Sequence, residues 1–242
     1  MSKPIAKRTL SWYSTMHPTR LDIVGDYAGS SRFLIHGDSL LRHCFSDPRL
    51  DFSSGFPLLH TVYVVERFFE NLVRRGCVFD VVFLDLDRTA CFPPGREVNH
   101  LRWLLAREAI IRHLQSLKGD AGETVRFSGM TDAGFLTWLD TRKPMFIMAA
   151  DGDDIEVDSE EASLECSKSG QSAKDWEMKL MLWRFMQVGE GMNIAILNQV
   201  EFVDSKVLVS RVPACIGTNS RTRCSRQFSR DITPSNCVSQ AR

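Results

Sequence analysis

The chain has no excess charge of either sign: 30 Lys and Arg balance 30 Asp and Glu over 242 residues. A whole-protein basic field for nucleic acid is therefore absent. The balance is uneven along the chain, since residues 213–242 hold five Arg and one Asp, a net of +4, which leaves −4 on residues 1–212. Any RNA or DNA contact needs a local patch, and no basic groove with interleaved aromatics is apparent in the sequence. Long apolar runs are missing too. The opening MSKPIAKRTLSWYSTMH has none long enough for a signal peptide, and no later stretch is long enough to span a bilayer. The seven cysteines (Cys44, Cys77, Cys91, Cys166, Cys215, Cys224, Cys237) include no CxxC pair, so zinc spacing is absent. Reduced thiols in a cytoplasmic, or also nuclear, protein are expected. No P-loop and no GxGxxG turn occurs, so the chain shows no ATP or dinucleotide site. No GxSxG elbow supports serine-hydrolase chemistry. The six histidines pair at no ligand-like spacing and read as structural or surface residues.

What is there suits a soluble globular domain: 43% hydrophobic and 25% charged residues, in a length that allows one domain with appendages. Residues 1–31 are polar and carry Pro4, Pro18, Gly25 and Gly29, which predicts an extended lead-in with one short helix. RFLIHGDSLL predicts a buried strand opening into a turn at Gly37-Asp38. From Phe56 to Arg75, Leu58, Leu59, Val62, Val65, Phe69, Leu72 and Val73 recur at helical spacing, and Gly76 supplies the stop. CVFDVVFLDLD is apolar up to its closing acids but for Asp80, as a central parallel strand is. REVNHLRWLLAREAIIRHLQSL predicts a second amphipathic helix, TVRFS a short strand and DAGFLTWLD a helix or loop. PMFIMAADGDD predicts a strand running into acids, KDWEMKLMLWRFM a third helix, and MNIAILNQVEFVDSKVLVSRV one or two further strands. Residues 151–165 hold eight Asp or Glu and no Lys or Arg, so about 151–170 reads as a solvated acidic loop. Residues 213–242, rich in Ser, Arg and Cys without periodicity, read as a disordered tail. The alternation of strand and helix over residues 32–212 predicts an α/β domain with a mostly parallel central sheet covered by helices.

Parallel strands end on one edge of their sheet, and ligands bind there. Three apolar runs here end in carboxylates: Asp38, then Asp85 with Asp87, then Asp151 with Asp153. If the strands are neighbours, these acids converge. Clustered carboxylates repel one another and call for a hard cation, magnesium or manganese. The bland alternative is that each aspartate merely starts a turn or caps a helix. Glu66 falls on the apolar arc of its helix and is expected at the rim, paired with Arg67 or Arg74. Arg96, Arg102 and Arg107 are the best local candidates for phosphate contact, against a solvated helix face.

From Leu21 to about Val82, LDIVGDYAGSSRFLIHGDSLLRHCF and GFPLLHTVYVVERFFENLVRRGCVFDVVF resemble the N-terminal region of the antiviral-type, Ski2-like DExD/H-box RNA helicases. FLIHGDSLL and VERFFENLVRRG carry the likeness most specifically, and LLAREAIIRHL and KPMFIMAADGD extend it more loosely over roughly residues 20–210. The resemblance implies a PIN-like, three-layer α/β domain of nuclease type, placed ahead of a helicase motor. It implies Asp38 as the first acid of the pocket, with Asp85 or Asp87 and Asp151 where later acids lie. A metal-dependent ribonuclease of this kind would hold magnesium or manganese on catalytic Asp38, Asp85 and Asp151, with Asp87 and Asp153 as secondary ligands. A scaffold would bind RNA, or RNA-decay and antiviral proteins, without cutting. Neither the Walker-type loop nor the DExH box of the family is present, so ATP belongs to the full-length helicases. The tail has no counterpart in the family and is the expected mark of a shortened or misread gene product.

A rival reading starts from DLDRTA, which fits the D-x-D-x-T pattern of haloacid-dehalogenase-type phosphatases. Asp85 would be the nucleophile, Asp87 the acid/base, and Lys143 the phosphate-binding lysine. Arg88 stands where that pattern usually has Gly, and the motif is five residues long. The helicase likeness is far longer and is preferred.

Overall fold

The computed structural model describes residues 3–29, 31–47, 49–50, 52, 55–93, 100–117, 122–152, 171–188, 192–197 and 205–208. In chain order the elements are α1 (Lys3–Ser14), β1 (Thr19–Leu21), α2 (Ile23–Tyr27), β2 (Arg32–His36), α3 (Gly37–Phe45), α4 (Leu58–Arg74) and β3 (Val78–Leu84). A 3-10 turn (Asp85–Cys91) follows, then α5 (His100–Ser116), β4 (Thr124–Phe127), α6 (Ala133–Arg142), β5 (Phe146–Ala149), α7 (Gln171–Val188), β6 (Asn193–Ile196) and β7 (Ser205–Leu208). The strands form one sheet in the order β1-β7-β6-β5-β2-β3-β4. From β6 to β4 all neighbours are parallel, and β7 and β1 add antiparallel. No described helix is long and apolar enough to cross a membrane.

Two apolar layers flank the sheet because the side chains of a strand alternate. On one face Phe33, Ile35, Phe79, Val81 and Phe83 meet α3, α4 and α5. On the other Leu34, Val82, Leu84, Ile147 and Ile194 meet α6 and α7, with Trp12 and Tyr13 of α1 at the margin. This is the three-layer α/β arrangement expected. Phe33 sits opposite Phe79 in the ladder and stacks on it, with 5.8 Å between centroids, and on Phe146 at 4.8 Å. A one-residue slip would turn this aromatic row to the wrong face, so the rings help to hold the register. Each such pair contributes about 0.5–1.5 kcal/mol beyond its buried area.

Two segments depart from the sequence reading. Residues 3–29 form two helices and a strand, and β1 is hydrogen-bonded into the sheet. Gly37-Asp38 is not a turn: α3 starts directly from β2, capped by His36, whose Nδ1 accepts the Ser39 amide at 3.3 Å. The immediate start needs Gly37, since a Cβ there would lie 2.4 Å from the Phe83 ring. Gly37→Ala is expected to cost about 1–3 kcal/mol by overpacking, measured as a lower urea midpoint with unchanged slope. The tail, and all of the acidic loop beyond Gly152, lie outside the described residues. Cys44, Cys77 and Cys91 are free, buried thiols.

Candidate functional site

β5, β2 and β3 are adjacent and parallel, so their carboxyl ends share one edge. Sheet order reverses between β2 and β5, because the chain moves outward through β3 and β4 and then returns to the other flank. Such a switch point is where open α/β sheets bind ligands. Asp38 opens α3 there, Asp85 and Asp87 lie in the 3-10 turn, and Asp151 follows β5. The predicted acids thus reach one rim. Asp153 lies outside the described residues.

Their partners differ from the expectation. Asp38 is fully buried, and Arg107 of α5, 1% exposed, grips both its oxygens: Nε donates to Oδ1 at 2.6 Å and Nη2 to Oδ2 at 3.1 Å. Arg107 Nη1 also donates to Asp85 Oδ1 at 3.3 Å and Glu108 Oε1 at 3.1 Å. Arg126 of β4 closes the network, donating to both Asp85 oxygens at 2.9 and 3.0 Å and to Glu108 at 2.7 and 3.1 Å. The Phe83 ring lies under the Arg107 guanidinium, 5.5 Å away. Burial pushes the Asp38 carboxyl up to about 6; Arg107 pulls it down, while Asp87 and Asp85 push it up. Burial also raises the Asp87 carboxyl, with Arg184 of α7 opposing. Asp151, also buried, belongs to a separate cluster. It accepts from the Tyr13 hydroxyl and, at 3.1 Å, from Lys206 Nζ.

A magnesium or manganese ion needs several oxygens with lone pairs directed at one point. Here a guanidinium occupies that role. Both Asp38 oxygens accept from Arg107, both Asp85 oxygens from Arg126, and Asp151 Oδ2 from Tyr13 and Lys206. Among the described residues no three His, Cys, Asp or Glu side chains lie close enough to hold an ion. Among the described residues the donor set does not fit a divalent metal.

Other candidates are placed as plainly. Arg107 is buried, so it cannot be the solvent-facing phosphate contact expected of it. Its position was legible in part: it stands four residues from Trp103 and from Ile111, on the buried stripe of α5. Arg102 donates to the carbonyls of Phe52 and Gly55, and Arg96 lies outside the described residues. Glu66 is at the helix rim as expected, but its partner is His113, at 2.8 Å, rather than an arginine of its own helix. Lys143 ends α6 just before β5, at the amino edge of the sheet, whereas Asp85 lies at the carboxyl edge. The phosphatase arrangement is not assembled. Glu108, Arg126, Tyr13 and Lys206 had no sequence signal, because each joins its cluster through contacts far along the chain.

Residues 9–160 match a family described as ATP-dependent RNA helicase DDX60, PIN-like domain. A human relative, "Probable ATP-dependent RNA helicase DDX60-like", is 29% identical over 129 residues, which is 53% of this chain and 7% of that protein. No solved structure matches. The family match spans more than half of the chain, and the three-layer α/β fold agrees with it. This chain belongs to the DDX60 PIN-like domain family.

Proposed function

We propose that this PIN-like domain is an RNA-associated binding and scaffold module that does not cleave RNA. The RNA association is carried over from the helicase relative, whose name states it. One observation carries the non-cleaving part: the buried, bidentate Asp38–Arg107 pair. Metal-assisted phosphodiester hydrolysis needs a cation that activates water and takes charge on the leaving oxygen. Arg107 neutralises Asp38 from within, carries no exchangeable water, and is fixed in the core. In this role the partners would be RNA and RNA-decay or antiviral proteins.

The test is incubation of the full chain with single-stranded RNA and manganese, together with a manganese titration followed by thermal unfolding. We expect intact RNA and a constant Tm, because an ion without a site gives no ligand-linked stabilisation. Cleavage that disappears in Asp38→Asn, or a saturable rise in Tm that disappears with it, overturns the proposal.

A further inference from the structure

α4 buries Thr61, Val65, Phe68 and Leu72 toward the sheet and turns a second stripe outward. At about 100° per residue, Leu59, Tyr63, Arg67, Glu70 and Arg74 fall within an arc of about 80°. All five are exposed, Leu59 at 86% and Tyr63 at 53%. The neighbouring α5, joined to α4 by the Glu66–His113 contact, exposes Leu101 and Leu105. Single exposed leucines are ordinary, but apolar side chains grouped on two adjoining helices mark an interaction surface.

The far end of the same stripe borders a hollow. A cavity of about 390 Å³ is lined by Phe69, Val73, Phe79, Val81, Leu114 and Leu117, with Glu70 and Arg74 at its mouth. An apolar knob, Leu59, and an apolar hollow thus stand at opposite ends of one helix face, roughly 21 Å apart along the axis. Between them lie two charges with capacity to spare. Among the described residues Arg67 has no ion-pair partner, and Glu66 engages only Oε1, with His113 at 2.8 Å.

This stripe is complementary to itself when run backwards. A two-fold axis crossing α4 between Glu66 and Arg67 sets two copies antiparallel and makes each contact occur twice. Glu66 then lies opposite the second copy's Arg67, Tyr63 opposite its Glu70, and Leu59 opposite its Arg74, beside the cavity. A parallel pair in register would set like charges against each other. A different protein would require no such match of the stripe with itself. We propose that the outer face of α4 binds a second copy of this chain, Leu59 of each filling the cavity beside Val73 of the other. The association requires no RNA and stands apart from the RNA reading.

The experiment is sedimentation velocity of the full chain from about 1 to 100 μM. Wild type should pass from monomer to dimer over this range. Leu59→Asp should weaken the dimer at least about 100-fold, because two leucines lose their burial at once. Leu86→Asp, which changes an exposed leucine of the 3-10 turn, should match wild type. Glu66→Arg and Arg67→Glu should each weaken self-association about tenfold, since each sets like charges across the axis. Mixed in equal amounts, these two variants should associate with each other as well as wild type does. Equal thermal unfolding of the monomers checks that the fold is kept. A wild type still monomeric at roughly 100 μM overturns the proposal and leaves the stripe to another protein. A Leu59→Asp protein that dimerises like wild type overturns the surface. A mixture that stays monomeric while wild type dimerises overturns the antiparallel register, and the proposal with it.

Discussion

Arg107→Met is expected to lower the unfolding free energy by about 3–5 kcal/mol, because it leaves the Asp38 carboxylate buried without a counter-charge. Asp38 has no route to water, being 0% exposed, and Arg107 supplies the side-chain donors to both its oxygens. Methionine fills much of the volume of the arginine stem, so the loss reads the charge rather than a cavity. Two further measurements separate this from ordinary core damage. The deficit should shrink on acidification, since a protonated Asp38 is neutral. Adding Asp38→Leu should recover most of it, because an apolar pair of similar volume is commonly as stable as a buried ion pair. A double-mutant cycle by urea unfolding gives the coupling directly. Coupling below about 1 kcal/mol would mean that the pair is incidental to the fold.

His36→Asn should change the pH dependence of stability more than stability itself. Burial, and then the Arg107 charge, holds the His36 imidazole down to about 3 from its ordinary 6.5. Between those values the unfolded chain binds a proton that the folded one refuses. His36 therefore subtracts stability as pH falls through 6.5, at about 1.4 kcal/mol per pH unit. Asp38 has the opposite sign: raised from 3.8 to about 6, it adds stability as pH falls from 6 toward 4. In wild type the two slopes largely cancel over that window. Asparagine can still accept the Ser39 amide at the start of α3 but does not titrate. The variant should thus gain on wild type by roughly 3 kcal/mol between pH 6.5 and 4. A difference profile that stays flat over this range would show that the imidazole is protonated in the fold.

Much of this molecule was legible as local pattern. The apolar arc of α4 runs on a helical period, and the run of β3, apolar but for Asp80, marks a strand buried on both faces. Both need only neighbours in the chain, which is why they read correctly. α3 did not, because Gly37-Asp38 is turn chemistry by local preference; the helix wins through the His36 cap and the close approach to Phe83. The lead-in hid its secondary structure for a related reason. A three-residue strand such as β1 has almost no signal until β7 is there to pair with it.

The gathering of acids on one rim follows from strand ends, and strand ends are a property of the pattern. The charge state of that rim is not. Asp38 and Arg107 are 69 residues apart, and Tyr13 and Lys206 are 193 apart. Ion pairs across such separations depend on which helix packs over which strand, and periodicity carries no record of that. Reading along the chain therefore leads to a mouth lined with carboxylates that asks for a metal. Packing α5 against β3 and the 3-10 turn that follows it puts a guanidinium there instead.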